Sequence, residues 1–127
     1  MLLVKTRLDR SSIHGIGLFA AEPIRRGTVI WRLDSTLDVQ LTREQIAAFA
    51  APARAQVEKY TYLDRVRGVW VLCGDDARFF NHSEDPNCQD FPDAHGGTTV
   101  AARDIEEGEE LTCDYASFDA SWTTHLR

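Results

Sequence analysis

Two stretches of eleven residues constrain this chain more than any other feature. AAEPIRRGTVI runs from Ala20 to Ile30, and AARDIEEGEEL runs from Ala101 to Leu111. At an offset of 81 residues (20 to 101), Ala20 matches Ala101, Ala21 matches Ala102, Ile24 matches Ile105 and Gly27 matches Gly108. Ile30 and Leu111 match in kind. Each copy reads as strand, tight glycine turn, strand. Two copies are too few to stack as a solenoid. They predict a domain built from two similar β units, although short turns of this kind also match by chance.

The rest of the chain agrees with a mostly β reading. Short runs rich in Val, Ile, Leu, Trp and Thr cover Leu2 to Lys5, Gly17 to Ala20, Thr28 to Leu33, Val69 to Cys73, Thr98 to Ala102 and Glu110 to Cys113. One region differs. Thr42-Arg43-Glu44-Gln45 has the capping-box pattern, and Ile46, Phe49 and Ala50 follow at helical spacing. Pro52 then interrupts, and is suited to open a second helix over Ala53 to Tyr60. A helical insert over about residues 34–68 is expected, within one domain spanning 1–127. At 127 residues there is chain for one core and not for two.

Composition narrows the function. The net charge of -6 argues against general nucleic-acid binding and would favour a basic partner, although on charge alone simple solubility is the better account. No apolar run approaches the ~18 residues of a spanning helix, and MLLVKTRLDR lacks the organisation of a signal peptide. No membrane association and a cytoplasmic location are expected. Cys73, Cys88 and Cys113 form no Cys-x-x-Cys pair, so reduced thiols are expected rather than a disulfide framework or a zinc site. His14, His82, His95 and His125 show no paired ligand spacing, which disfavours a metal-dependent hydrolase.

Three clusters carry chemical potential. His14-Gly15-Ile16-Gly17-Leu18-Phe19 has two glycines that let a backbone approach a ligand, or simply make a tight turn. It lacks the third glycine of a dinucleotide fingerprint. Arg78-Phe79-Phe80-Asn81-His82-Ser83-Glu84-Asp85-Pro86-Asn87 places Asn and His at a strand-turn junction, where both also serve as ordinary turn residues. Gly108-Glu109-Glu110-Leu111-Thr112-Cys113-Asp114-Tyr115 reads alone as an acidic surface hairpin entering a strand. No one cluster decides the function.

Taken in this order, the three resemble the SET-domain family of protein lysine methyltransferases, over about Leu2 to Phe118. The resemblance implies a β-clip fold of small curved sheets with two similar halves, a short helical insert and a C-terminal pseudoknot. It implies S-adenosylmethionine as cofactor, held by the backbone of Gly15, Ile16 and Gly17, the side chain of Asn81 and the backbone of His82. Tyr115 would lie beside Asn81 and His82, and Trp122, with Phe118, would help to cover the cofactor. The substrate channel would be lined by Phe80, Cys113 and Leu33.

The implied chemistry is attack of a lysine amine on a sulfonium methyl, with no metal. A free lysine near pKa ~10.4 costs roughly 4.6 kcal/mol to deprotonate at pH 7. An apolar channel and a nearby sulfonium lower that cost. Tyr115 is the expected catalytic residue, orienting the amine rather than acting as a base, since a phenol near pKa ~10 keeps its proton.

The chain departs from the family at four places. Cys113 stands two residues before Tyr115, where many members have Phe or Tyr, and its smaller size leaves room for di- or trimethylation. Leu33 replaces a common Tyr. Glu84 and Asp85 stand where zinc-dependent members have Cys, so no metal is expected. Only the tail 116–127 follows Tyr115. The expected partner is a basic protein or peptide, with a homodimer as one arrangement. The competing reading is a non-catalytic SET-fold module that binds cofactor or a basic peptide.

Overall fold

The structure, a computed structural model, describes residues 1–121. β1 (Thr6–Arg10) and β2 (Ile16–Ala20) form an antiparallel hairpin, in register from Thr6 opposite Ala20 to Arg10 opposite Ile16. Four of the five residues of β1 are exposed, whereas β2 buries Gly17, Leu18 and Ala20. The connecting turn is set by Ser11. Its hydroxyl accepts from the N–H groups of Ile13 (2.9 Å) and His14 (3.2 Å), and its own N–H donates to the Gly15 carbonyl at 2.8 Å.

β3 (Val29–Arg32), β8 (Cys88–Phe91) and β9 (Thr98–Ala101) make an antiparallel sheet in the order β3-β9-β8, with a register shift between Val29 and Trp31. A second sheet has the order β4-β6-β5: β4 (Val39–Leu41), β6 (Trp70–Leu72) and β5 (Thr61–Leu63). Between β4 and β5 lie helices α1 (Arg43–Ala47) and α2 (Ala51–Tyr60).

The capping box on α1 is present in both directions. Thr42 Oγ1 accepts from Gln45 N–H at 3.1 Å, and Gln45 Oε1 accepts from Thr42 N–H at 2.8 Å. Pro52 stands in the first turn of α2, where its missing N–H has no helical partner to lose. The region expected as a helical insert therefore contains both helices, but also two strands of a sheet. Three-residue strands such as Val-Gln-Leu and Thr-Tyr-Leu are too short to show a period. The run Leu2 to Lys5 supplies only a bridge from Leu2 to Trp31; the strand begins at Thr6.

The repeat is expressed as backbone pairing between its own copies. Gly27 N–H donates to Ala101 C=O at 2.8 Å, and its counterpart Gly108 N–H donates to Ala20 C=O at 2.8 Å. Ala101 N–H donates to Thr28 C=O, and Ala20 N–H to Glu109 C=O, both at 2.9 Å. The apolar members Ala20, Ile24, Ile30, Ala101, Ile105 and Leu111 all enter the buried core, with Leu18, Trp31, Cys73 and Cys88. The two β units thus close on each other about an approximate two-fold axis.

The last pair of strands positions the site. β7 (Asn81–His82) and β10 (Thr112–Cys113) run parallel, with Asn81 opposite Thr112 and His82 opposite Cys113. The C-terminal segment is thereby laid against residues 80–83, the juxtaposition that a pseudoknot requires.

Candidate active site

The chain reaches Asn81 through a 3-10 turn over Asp76–Phe79, started by the Asp75 carboxylate accepting from Ala77 N–H at 3.1 Å. In an extended segment successive side chains face opposite ways. Phe80 lines a cleft, while Asn81 turns towards the β1–β2 loop. Asn81 is buried, and its Nδ2 donates to the His14 carbonyl (3.0 Å) and to Glu110 Oε2 (2.8 Å), with the Ile16 carbonyl sharing a proton at 3.4 Å. Three acceptors around one terminal atom assign it as the amide nitrogen. The opposite atom, Oδ1, is left as an acceptor.

Glu110 is the residue that sequence reasoning missed. Its carboxylate takes the Ser11 hydroxyl as donor, at 2.8 and 2.9 Å to its two oxygens, besides the Asn81 amide. Gly17 makes this approach feasible, since a Cβ there would lie 2.4 Å from Glu110 Oε2. Ser11, Gly17, Asn81 and Glu110 therefore form one clamp on the loop 11–17. In the sequence Glu110 is one carboxylate in the run Glu106-Glu107-Gly108-Glu109-Glu110. No sequence signal marks it: the repeat matches Glu110 to Val29, and its bridge to Phe19 forms only where the two copies close on each other.

Asn87 provides the support beneath the clamp. Its Nδ2 donates to Glu110 C=O (2.8 Å), its Oδ1 accepts from Thr112 N–H (2.9 Å), and its own N–H donates to Thr112 Oγ1 (3.2 Å). Asn87 thereby ties both backbone groups around Leu111 in place.

Tyr115 is 4% exposed, and its hydroxyl donates to the Phe80 carbonyl. Its N–H donates to His82 Nδ1 at 3.1 Å, and the two rings lie 5.4 Å apart. Because Nδ1 accepts, His82 is held in the tautomer protonated at Nε2. Asp114 Oδ1 lies 3.8 Å from the same nitrogen, too far to compete with that bond. Phe118 packs edge-on against Tyr115 (5.6 Å) and Tyr62 (5.2 Å).

These aromatics border a narrow cleft of about 70 Å³, lined also by Trp31, Phe80, Cys113 and Arg78 and by the carboxylates of Asp64, Asp90 and Asp119. Asp64 is paired with Arg67 at 3.0 Å. Burial raises the Asp90 carboxyl to about 6, against the lowering effect of the Thr99, Cys113 and Ser117 side chains beside it. Burial likewise holds the Cys113 thiol well above its ordinary value, and lifts Cys73 to about 12. Both are neutral thiols at physiological pH. Tyr62 is pushed up by the same cause.

The structure thus gathers Gly15, Ile16, Gly17 and Asn81 about one loop and Phe80, Cys113 and Tyr115 about one cleft, with His82 next to Asn81 and packed against Tyr115. Leu33 is not among the residues lining that cleft. It packs against Gly96, whose absent Cβ would fall 2.2 Å from Leu33 Cδ2, and Gly96 itself lines the cleft. Trp122 lies outside the described residues.

Small curved sheets, an Asn-His strand paired parallel to the segment before a buried tyrosine, and a glycine loop held by that asparagine define a SET-type domain. The chain belongs to the SET-domain family: the SET domain matches residues 15–116. Human histone-lysine N-methyltransferase 2D is 31% identical over 116 residues, covering 85% of this chain and 2% of that protein. The zebrafish N-lysine methyltransferase KMT5A-A is 33% identical over 111 residues, covering 80% of this chain and 32% of that protein. The chain therefore spans a minor part of the length of these relatives. Among solved structures, the Neurospora SET domain protein DIM-5, a histone lysine methyltransferase, superimposes with a TM-score of 0.58 at 26% identity, covering 90% of this chain and 53% of that one.

Proposed function

We propose that this protein is an S-adenosylmethionine-dependent methyltransferase acting on lysine side chains of a basic protein substrate. The observation that carries this reading is the adjacency of two unlike sites on successive residues of one extended segment. Asn81 anchors an acceptor-rich loop, and the preceding Phe80 borders an aromatic cleft into which Tyr115 is packed.

The loop fits the cofactor's charge. A methionyl ammonium needs acceptors, and Asn81 Oδ1, the His14 and Ile16 carbonyls and the Glu110 carboxylate stand together there. Ile13 and Ile16, each about half exposed, offer apolar surface beside them. Asn81, Gly15, Ile16, Gly17 and His82 are the residues that would hold the group. When bound it supplies a methyl group activated by a sulfonium.

The cleft fits a lysine. Trp31, Tyr62, Phe80 and Phe118 provide apolar walls for the side-chain methylenes and disfavour the ammonium form once water is expelled. Tyr115 acts as an orienting acceptor. Its proton is committed to the Phe80 carbonyl, so its oxygen lone pairs are what an amine N–H can use. Three carboxylates against the single cation Arg78 among the lining residues favour a basic substrate.

The test is transfer of labelled methyl from S-adenosylmethionine to purified core histones, with lysine-specific product analysis. Wild-type transfer reduced about 10²-fold in Tyr115→Phe, with the fold intact, supports the proposal. Cofactor binding without transfer to any lysine substrate would favour the non-catalytic module.

A further inference from the structure

One charged group in the cleft has no part in the scheme so far. Asp90 sits on β8, directly across from Thr99 of β9. Thr99 Oγ1 donates to Oδ1 at 2.7 Å. The other oxygen is poorly served. Ser117 Oγ is 3.5 Å away, and its one proton goes instead to the Asp114 carbonyl at 2.6 Å. The remaining partner is the Cys113 thiol, a weak donor. No Lys, Arg or His among the described residues lies within ion-pair distance of Asp90.

A partly buried carboxylate with one oxygen under-donated and no counter-ion calls for a cation from outside. Its position fits one. Asp90 and Cys113 line the same cleft as Tyr115, and the Cys113 side chain beside Asp90 is short.

We propose that Asp90 is the anchor for the substrate's ammonium group, accepting an N–H from the lysine at the wall that Cys113 leaves open. The inference rests on the reading of the cleft as a lysine site. Its role is capture, not deprotonation, because an anion beside an amine favours the charged form. Capture also depends on the number of N–H groups. An unmethylated or monomethylated ammonium has N–H groups to give to Oδ2, and a trimethylated one has none.

The groups facing Asp90 are Thr99 from β9, Cys113 from β10, Ser117 and Asp114 after it, and Tyr62 from β5. None of these is a cation, and Arg78, which lines the same cleft, makes no ion pair with Asp90, so an ammonium seated there should lower its titration midpoint further than its hydrogen bonds already do. The experiment is an NMR titration of the whole protein, isotopically labelled at its aspartate carboxyl carbons, from about pH 4 to about pH 8. It is run in sodium chloride, n-butylammonium chloride and n-butyltrimethylammonium chloride at equal ionic strength.

The expected result is an Asp90 midpoint lowered by about half a pH unit or more by butylammonium, and by less with the trimethyl salt. An unchanged midpoint, or equal effects of all three salts, overturns the proposal. In Asp90→Asn, chemical-shift changes at Phe80 and Tyr115 on adding butylammonium should weaken about fivefold or more. Should that variant not fold, the wild-type titration still decides. Loss of methyl transfer with an intact ammonium response sinks the enzymatic reading alone. Methyl transfer without any ammonium response sinks the anchor alone.

Discussion

Ile24 and Ile105 donate to and accept from each other, at 2.8 and 2.7 Å, so that residues matched in the sequence repeat are joined where the two copies cross. Both are almost fully buried, at 3% and 2% exposure. Around them the glycine turns are related the same way: Gly27 has φ 87° and Gly108 has φ 93°. No heavy atom stands closer than 3.9 Å to a Cβ built at either position.

Gly27→Ala and Gly108→Ala should therefore destabilise by similar amounts, about 1–2 kcal/mol each, through backbone strain alone. Urea denaturation of both variants checks this. A large loss at one and none at the other would show that the two turns are not equivalent.

Asn87→Ala should cost about 2–4 kcal/mol, since it strands the Glu110 carbonyl and the Thr112 N–H in a buried setting. Asn87→Asp keeps the acceptor for Thr112 and loses the donor to Glu110. It also sets a buried carboxylate oxygen against the Glu110 carbonyl, so it should cost at least as much as alanine in the same denaturation assay.

Much of this was legible beforehand, and the exceptions share a cause. The strands with apolar runs, the capping box on α1 and the proline opening α2 all depend on neighbours in sequence. The repeat announced a pairing that the backbone makes. β1 was hidden because Thr-Arg-Leu-Asp-Arg is an exposed strand with no apolar face. β4 and β5 are too short to carry a pattern. Glu110 depends on Ser11, 99 residues away, and Asp90 depends on the cleft that Cys113 borders. Neither belongs to a periodic pattern, so only the closed fold exposes them.

Asp90 should impose a pH dependence on stability. Its folded-state pKa of about 6 stands above the ordinary value of 3.8. Between these values the folded state binds its proton more tightly than the unfolded chain. The stabilisation relative to a fully charged Asp90 is complete below about pH 4 and is lost as pH rises through about 6. The span is at most about 3 kcal/mol, and less where water reaches the carboxylate. Asp90→Asn should remove this slope in denaturation series across that window; an unchanged slope would place its origin elsewhere.

Gly17→Ala should act on binding more than on folding. The new Cβ would displace the flexible end of Glu110 from Asn81 and Ser11. Affinity for S-adenosylmethionine should fall about tenfold or more, equivalent to ~1.4 kcal/mol, with a small change in melting temperature. Glu110→Ala combined with Gly17→Ala should add little to Glu110→Ala alone, since the alanine at 17 then has no carboxylate to meet.

The central claim is that the loop held by Asn81 is the cofactor site. Calorimetric titration of the folded protein with S-adenosylmethionine, beside Asn81→Ala and Gly27→Ala, tests it most directly. The account predicts saturable binding by wild type, binding lost in Asn81→Ala, and binding retained in Gly27→Ala, whose turn lies away from the loop. Equal binding by wild type and Asn81→Ala, or none by the folded wild type with or without a basic peptide, would contradict it.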